Sequence, residues 1–278
     1  MTTQSRHFEG SPRRALFVCA LGLAAAAFGL GLVPGSGMPA RAAGETACPN
    51  PGALGTARVL SVDTTKGLEV GTKSYPQTLP LGPKEVVLTF DDGPIGKPTE
   101  QVLAALAAEC VKATFFVVGE QAAAHPALLK RIAAAGHTIG HHSMTHPIMT
   151  GLGFEAGKAD IERGWRTVDR ILTGRDGDRP VTPFFRFPGF APTPELAAWL
   201  KAKSIGTFGA DLWGTDWQKT TPDALLRQVL DRLDKRGGGI LLLHDIHAHT
   251  AAMVPALLAE LKARGYRVVH IVPAGPVS

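Results

Sequence analysis

From Lys84 onward, short apolar runs alternate with longer amphipathic stretches along the chain. The apolar runs have the length of buried strands and are bounded by Gly, Pro or polar turn residues. In the longer stretches, apolar residues recur at helical spacing. The pattern predicts seven strands (85–90, 113–118, 137–141, 184–187, 207–211, 239–243 and 267–271) and six helices (99–110, 126–136, 155–172, 195–203, 222–235 and 256–264). This alternation is typical of parallel strands joined by crossover helices, so we predict one α/β domain.

Polar side chains suited to catalysis follow the carboxyl ends of the predicted strands. They comprise three aspartates, two histidines and an arginine: Asp91, Asp92, His142, Arg186, Asp216 and His244. An open doubly wound sheet fits the same order of elements, but it would bring together only the groups at its switch point. A parallel barrel collects all of them on the rim where such barrels build active sites, and we therefore favour a barrel.

The first 42 residues have the features of an export signal. Arg13 and Arg14 end a basic segment, an apolar run extends over residues 15–33, and residues 40–42 offer a small-residue cleavage site. Because the run is about as long as a membrane span, an uncleaved anchor is an alternative. We predict an exported protein, periplasmic or secreted, that meets a membrane only if this segment is uncleaved.

Residues 43–83 are rich in Pro, Gly and Thr and contain one strand-like run, residues 57–62. We interpret them as an N-terminal extension that packs on the main domain, residues 84–275. Two cysteines remain after the signal, Cys48 in the extension and Cys110 in the main domain. An oxidising compartment would favour a disulfide between them, and the alternative is a buried Cys110 with a free Cys48.

The charge of the chain argues against a nucleic-acid partner. The sequence has a net charge of +5, but four of its basic groups and one of its acids lie in the first 42 residues. The remaining 25 basic groups (29 less 4) and 23 acidic groups (24 less 1) nearly balance. The main domain also has no basic stripe interleaved with aromatic residues, so it lacks a nucleic-acid footprint.

An aspartate pair and a histidine pair suggest a metal site. Asp91 and Asp92 close an apolar strand, and neighbouring carboxylates both ionise only where a cation or hydrogen-bond donors compensate them. His142 and His146 have the i, i+4 spacing that puts two imidazoles on one face of a helical turn. With Asp92 they would form a set that leaves coordination positions open, as catalytic sites do. The alternatives are an aspartate that caps a turn or helix and a histidine spacing that arises by chance.

His244 ends an almost wholly apolar strand, where a lone histidine is more often a core residue than a catalyst. Its position on the same rim as the aspartates favours a catalytic role. In a site of low dielectric, Arg186 would hold Asp91 ionised, and Asp216 would orient His244 and keep it protonated. Five other histidines gain no such support and are expected to be structural or solvent-facing: His137, His141, His247, His249 and His270.

Five segments resemble the motifs of the polysaccharide deacetylases, in the same order and at similar spacing. They are Thr89–Gly93, His142-Ser143 with His146, Arg186 with Pro188, Asp216-Trp217, and Leu242 with His244. This family includes chitin deacetylases and peptidoglycan N-acetylglucosamine deacetylases, and the resemblance covers roughly residues 84–272. It implies a distorted parallel (β/α) barrel of seven to eight strands.

The resemblance also implies three groups of functional residues. The first would bind a divalent metal, with zinc as the first expectation and iron, cobalt or nickel as alternatives. Its members are Asp92, His142 and His146. The second would move protons: Asp91 as general base, steadied by Arg186, and His244 as general acid, tuned by Asp216. The third would bind the substrate: Pro188, Gly189, Trp217 and Leu242.

The implied function is hydrolytic removal of N-acetyl groups from the amino sugars of an acetylated glycan or oligosaccharide. An O-acetyl-polysaccharide esterase with the same site and a non-catalytic carbohydrate-binding relic are the alternatives. Two positions depart from the family, Gly189 where an aromatic residue is usual and His141 where asparagine is common. We expect both to line the substrate groove, so the sequence does not predict which sugar is bound.

Overall fold

A computed structural model describes residues 48–275, and the predicted export signal lies outside the described residues. The strands are β1 (Thr56–Val62), β2 (Glu69–Val70), β3 (Glu85–Asp91), β4 (Thr114–Val117), β5 (Thr138–His141), β6 (Phe184–Phe185), β7 (Gly206–Phe208), β8 (Leu212–Trp213), β9 (Gly239–His244) and β10 (Arg267–Pro273). The helices are α1 (Gly96–Ala108), α2 (Gly119–Ala124), α3 (Pro126–Ala134), α4 (Phe154–Thr173), α5 (Pro194–Ala202), α6 (Pro222–Arg236) and α7 (Ala248–Ala263). Within this range, no helix is both long and apolar enough to cross a membrane.

The strands form one parallel sheet curved into a distorted barrel, which confirms the predicted fold class. Its main path runs β8–β9–β3–β4–β5–β6–β7–β2, and every neighbouring pair is parallel. β10 pairs with β3 only at Glu85 and Val86, and β1 then pairs with β10 along its length. The side pairing of β10 and β1 makes the barrel irregular.

Strand β3 illustrates how the two faces of the sheet are used. Val86, Leu88 and Phe90 point outward and pack against the surrounding helices. Val87 points inward and belongs to a separate apolar cluster inside the barrel. The inward face changes from apolar Val87 to Asp91 as the strand approaches its carboxyl end, because successive side chains alternate between faces. The polar site at the carboxyl ends of the strands therefore lies directly above the apolar cluster that fills the barrel interior.

The seven predicted strands and six predicted helices are all present, but one short α-helix and two short strands were not predicted, nor were the 3-10 turns Met149–Gly151 and Pro188–Phe190. The helix is α2 and the strands are the two-residue β2 and β8, all too short to produce a periodic pattern. Helix α7 begins at Ala248 rather than near Ala256 and continues through Pro255. A proline normally ends a helix, but Met253 and Val254 are buried in the core, and this packing outweighs the lost hydrogen bond.

The extension, residues 48–83, contributes strands to the sheet. β1 pairs with β10, and β2 pairs with β7 through Glu69–Thr207 and Val70–Phe208. A disulfide joins Cys48 to Cys110, with the two Cα atoms 5.8 Å apart. The disulfide ties the start of the described chain to the turn that follows α1. The boundary between extension and main domain at residue 84 stays a prediction.

Candidate active site

The aspartate pair lies at the carboxyl end of β3. Asp91 is the last residue of the strand and is buried, whereas Asp92 has φ of 76° and leaves the strand direction. The following glycine has no room for a side chain, because a Cβ at Gly93 would lie 2.2 Å from Asp245 Oδ2. This turn therefore presents the two adjacent carboxylates to different partners.

The two histidines lie in the irregular loop after β5, and the predicted helical turn is wrong. Ser143 and His146 have φ of 68° and 56°, which no helical turn allows. The loop nevertheless brings the two imidazoles together, with ring centroids 4.9 Å apart. His142 Nε2 lies 3.4 Å and His146 Nε2 lies 3.2 Å from the same oxygen, Asp92 Oδ1.

Asp160 on α4 holds this loop in place. Its Oδ1 accepts hydrogen bonds from the backbone N–H groups of Met144 (2.9 Å) and Thr145 (3.2 Å), and its Oδ2 accepts one from the Thr145 hydroxyl. Sequence reasoning missed Asp160. The available signal was a carboxylate on the buried stripe of a helix, between Gly157 and Gly164, where an acid needs a partner.

Asp92, His142 and His146 fit a divalent metal. Their donor atoms all lie within 4.8 Å of one another. His142 Nδ1 is 2.7 Å from the Arg186 carbonyl, so Nδ1 carries the proton and Nε2 keeps a lone pair. That lone pair faces Asp92 Oδ1, a buried oxygen that has no hydrogen-bond partner. Lone pairs that converge in this way are stabilised by a cation between them.

The electrostatics around Asp92 agree with an anionic ligand. Burial opposes ionisation of this carboxyl group. When the imidazoles of His142 and His146 carry protons on Nε2, their hydrogen bonds and charge outweigh burial and lower the pKa of Asp92 well below the usual range, a role that a bound cation would take over. The carboxylate is therefore ionised across the physiological pH range.

Asp91 is held by a fully buried arginine. Arg186 Nη1 donates to Asp91 Oδ1 at 2.6 Å and to the Thr89 hydroxyl at 2.9 Å. Its remaining donors reach the carbonyl oxygens of Phe208 and Gly209. This network fixes one carboxylate oxygen of Asp91, while the other, Oδ2, lies 3.7 Å from His142 Nε2 at the pocket. The guanidinium is anchored on β3 and at the end of β7, so Asp91 has little freedom to rotate.

His244 ends β9 and pairs with a buried carboxylate. Its Nδ1 lies 2.8 Å from Asp216 Oδ1, and its backbone N–H donates to Asp216 Oδ2 at 2.7 Å. Burial lowers the pKa of His244, but the hydrogen bond and charge of Asp216 raise it more, to about 9. The free Nε2 lies 3.9 Å from Asp92 Oδ2, so it faces the metal ligands.

Asp216 itself is held by two residues that sequence reasoning did not assign to the site. The Thr250 hydroxyl donates to Asp216 Oδ2 at 2.8 Å, and His249 Nε2 lies 2.7 Å from the Asp216 carbonyl oxygen. Both come from the first turn of α7, which the sequence pattern did not predict. No local signal marks them, because they act through a contact about thirty residues away in the chain.

These groups surround a pocket of about 440 Å³, within the usual range for small-ligand sites. Its wall contains the predicted residues Gly189, Trp217 and Leu242. Pro188 is buried and does not line the pocket, and the expectation that His141 lines the groove is wrong, because His141 is buried at the end of β5.

Four lining residues were not predicted: Lys73, Phe187, Phe190 and Trp213. The aromatic residues lie next to predicted segments, but nothing in the sequence marks Lys73. A larger hollow of about 600 Å³ between α3 and β10 shares no residue with this pocket.

Comparison with known proteins identifies the family of this chain. A sequence model described as polysaccharide deacetylase matches residues 78–206. A chitooligosaccharide deacetylase of Sinorhizobium fredii is 33% identical over 211 residues, covering 69% of this chain and 94% of the relative. The chain therefore belongs to the polysaccharide deacetylase family.

Two further proteins are similar to this chain over only part of their own length. A peptidoglycan-N-acetylglucosamine deacetylase of Listeria monocytogenes is 33% identical over 188 residues, which is 68% of this chain but 38% of that protein. The structure of a Bdellovibrio bacteriovorus peptidoglycan deacetylase superposes with a TM-score of 0.70 and 36% identity, covering 79% of this chain and 59% of that one. The chain thus spans less than two thirds of either protein.

Proposed function

We propose that this protein is an exported, metal-dependent hydrolase that removes N-acetyl groups from the amino sugars of a glycan. The observation that carries the proposal is the convergence of His142 Nε2 and His146 Nε2 on one oxygen of Asp92, with Asp91 and His244 within 4 Å of these ligands. Three metal ligands with a general base and a general acid close by are the arrangement that metal-dependent amide hydrolysis needs. Export is supported by the signal-like residues 1–42 and by the disulfide, because disulfides persist in oxidising compartments.

Asp92, His142 and His146 would hold the metal, with zinc the first candidate. When bound, a divalent metal lowers the pKa of water and polarises the substrate carbonyl. The protein contributes the open geometry, because three ligands leave positions for water and substrate. The proton on His142 Nδ1 and the hydrogen bonds from Asp160 to the loop keep the ligands oriented.

Asp91 would act as the general base. Its Oδ1 is occupied by Arg186, so Oδ2 is the oxygen that takes a proton from the attacking water. The buried guanidinium holds the carboxylate in place and leaves Oδ2 toward the pocket. The water oxygen then forms a bond to the carbonyl carbon.

His244 would act as the general acid. Asp216 accepts its Nδ1–H and keeps the imidazole protonated, so Nε2 can donate a proton to the departing amine nitrogen. The carbon–nitrogen bond breaks, and the products are acetate and a free amino sugar. Trp217 and Leu242 would enclose the acetyl methyl group, and the backbone N–H near Gly189 would stabilise negative charge on oxygen.

The test is release of acetate from a panel of oligosaccharides acetylated on nitrogen or on oxygen, before and after metal removal. We expect acetate together with free amine from N-acetylated substrates, loss of release after chelation, and recovery when zinc is restored. Release only from O-acetylated substrates would identify an esterase. Release that continues undiminished in metal-free protein would contradict the proposed mechanism.

A further inference from the structure

One corner of the active-site pocket is positively charged. We define the Lys73 corner as Lys73, Trp213 and Arg232. Lys73 Nζ lies 5.0 Å from the centroid of the Trp213 ring, and the guanidinium carbon of Arg232 lies 5.2 Å from the same ring. Both distances are in the range of cation–π contacts. Lys73 and Trp213 line the pocket, and Arg232 donates to the Trp213 carbonyl behind it.

The positive charge of this corner is not balanced by a carboxylate. Among residues 48–275, no ion pair within 4 Å includes Lys73 or Arg232. The carboxylates that line the pocket are engaged elsewhere, Asp91 with Arg186 and Asp92 with the two imidazoles. An anionic group of a ligand is therefore the partner that this corner lacks.

The backbone holds Lys73 rigidly at the pocket. The Lys73 N–H donates to the Ala210 carbonyl at 2.8 Å, and the N–H and hydroxyl of Thr72 both donate to buried Asp211 Oδ1. A Cβ at Gly71 would lie 2.5 Å from the Gly209 carbonyl carbon, so the two segments approach as closely as glycine permits. The extension thus fixes the backbone that carries the exposed Lys73 side chain at the pocket, and an ordered backbone lowers the cost of binding.

The corner adjoins the place where the substrate acetyl group would bind. In the β8–β9 ladder, Trp213 is the direct partner of Leu242, the proposed wall of the acetyl pocket. A sugar whose acetamido group reaches the catalytic residues therefore places its neighbouring substituents, or the next sugar, near Lys73. Carboxylates are among the acids that such sugars carry, on a lactyl ether or on a neighbouring uronic acid.

We propose that the Lys73 corner binds a carboxylate of the glycan, so that the protein prefers acidic over neutral N-acetylated glycans. This inference rests on the proposed function for the identity of the ligand as a glycan. Lys73 is then a specificity-determining residue that comes from the N-terminal extension. Lys73 forms a charge-assisted hydrogen bond with the carboxylate and does not contact the carbon–nitrogen bond that breaks.

The test compares three tetrasaccharides of equal length. One is neutral, built of N-acetylglucosamine alone, one alternates N-acetylglucosamine with N-acetylmuramic acid carrying a free carboxylate, and one alternates N-acetylglucosamine with glucuronic acid. Dissociation constants are measured by calorimetry on the zinc-loaded Asp91→Asn protein, in which turnover is slow, and kcat/KM is measured on the otherwise wild-type protein.

We expect at least one acidic tetrasaccharide to bind about tenfold more tightly than the neutral one, the effect of one charge-assisted contact. Lys73→Met should remove this preference, Lys73→Glu should reverse it, and neither should change binding of the neutral compound by more than about twofold. The matched control Lys66→Met, an exposed lysine of the same extension, should keep the preference.

Two results would overturn the inference: equal binding of all three compounds, or a preference that survives in Lys73→Met. If the acid preference depends on Lys73 but no compound releases acetate, the inference stands and the proposed function fails. If acetate is released from all three at rates that Lys73→Met does not alter and binding shows no preference, the proposed function stands and the inference fails.

Discussion

Three largely buried histidines in this protein differ in whether a carboxylate lies beside the imidazole. His244 on the barrel rim contacts Asp216, and its pKa rises to about 9. His137 and His270, beside the hollow between α3 and β10, are as deeply buried, but burial and the charge of Lys112 lower their pKa values to about 3 and about 4.

His137 and His270 have uncharged hydrogen-bond partners. His137 Nδ1 accepts the Ala113 N–H at 3.1 Å, and His270 Nε2 lies 2.9 Å from the Thr138 hydroxyl. These contacts are adequate for an uncharged imidazole in a core but do not stabilise a charged one. Burial is similar in both places, so the nearby carboxylate decides whether a histidine is poised for chemistry.

The largest expected effect comes from removing the carboxylate shared by the metal site. Asp92→Ala should lose the metal and reduce acetate release by roughly a thousandfold or more, because the metal accounts for several kcal/mol of the barrier. Metal content by mass spectrometry and acetate release measure this directly. Asp231→Ala, an exposed aspartate on α6, is the matched control. Stoichiometric metal and normal turnover in Asp92→Ala would show that the ligands are wrongly assigned.

The adjacent aspartate should behave differently. Asp91→Asn keeps the metal ligands but removes the base, so we expect normal metal content with turnover reduced roughly a hundredfold or more. Metal content and kcat measured on the same preparation separate the two aspartates. A variant that turns over normally, or one that has lost its metal, would remove Asp91 from the role of base.

Weakening the partner of His244 should produce a smaller, pH-dependent effect. A general acid must be protonated, so activity falls as pH rises through the pKa of His244. Asp216→Asn removes the charge that raises this pKa. The alkaline limb of the kcat–pH profile should therefore move to lower pH, with kcat at pH 7 reduced roughly tenfold. An unshifted limb would mean that another group donates the proton.

The histidines of the hollow should affect stability rather than catalysis. The folded pKa of His270, about 4, lies below the ordinary value of 6.5, so its contribution to stability is complete above pH 6.5 and is lost as pH falls toward 4. Full protonation would cost up to about 3 kcal/mol. His270→Gln should reduce the loss of stability between pH 7.5 and 5, measured by urea unfolding, and leave metal content and turnover unchanged. If the wild-type protein and His270→Gln lost the same unfolding free energy between pH 7.5 and 5, His270 would not be the group responsible.

The sequence pattern was sufficient to predict the barrel and to predict which polar residues lie on its rim. Strand periodicity located β3 and β9, and the parallel topology then brings Asp91 and His244 into one register, where they are direct partners across the two strands. These inferences depend on short-range patterns combined with one topological rule.

What the sequence did not predict depends on contacts between distant segments. Asp160 supports the histidine loop from another helix, and Lys73 reaches Trp213 across about 140 residues of chain. Neither residue has a distinctive neighbourhood in the sequence. The irregular loop of His142 and His146 was mistaken for a helical turn because i, i+4 spacing indicates a shared face only where the backbone is helical.

The most direct test of the account is anomalous X-ray diffraction at the zinc edge from crystals of the zinc-loaded protein. We predict one strong peak at bonding distance, about 2.0–2.2 Å, from a carboxylate oxygen of Asp92 and from the Nε2 atoms of His142 and His146. We predict no peak beside His137 and His270. A peak at that second pair of histidines, or none within bonding distance of Asp92, would contradict the central claim that the rim carries the metal site.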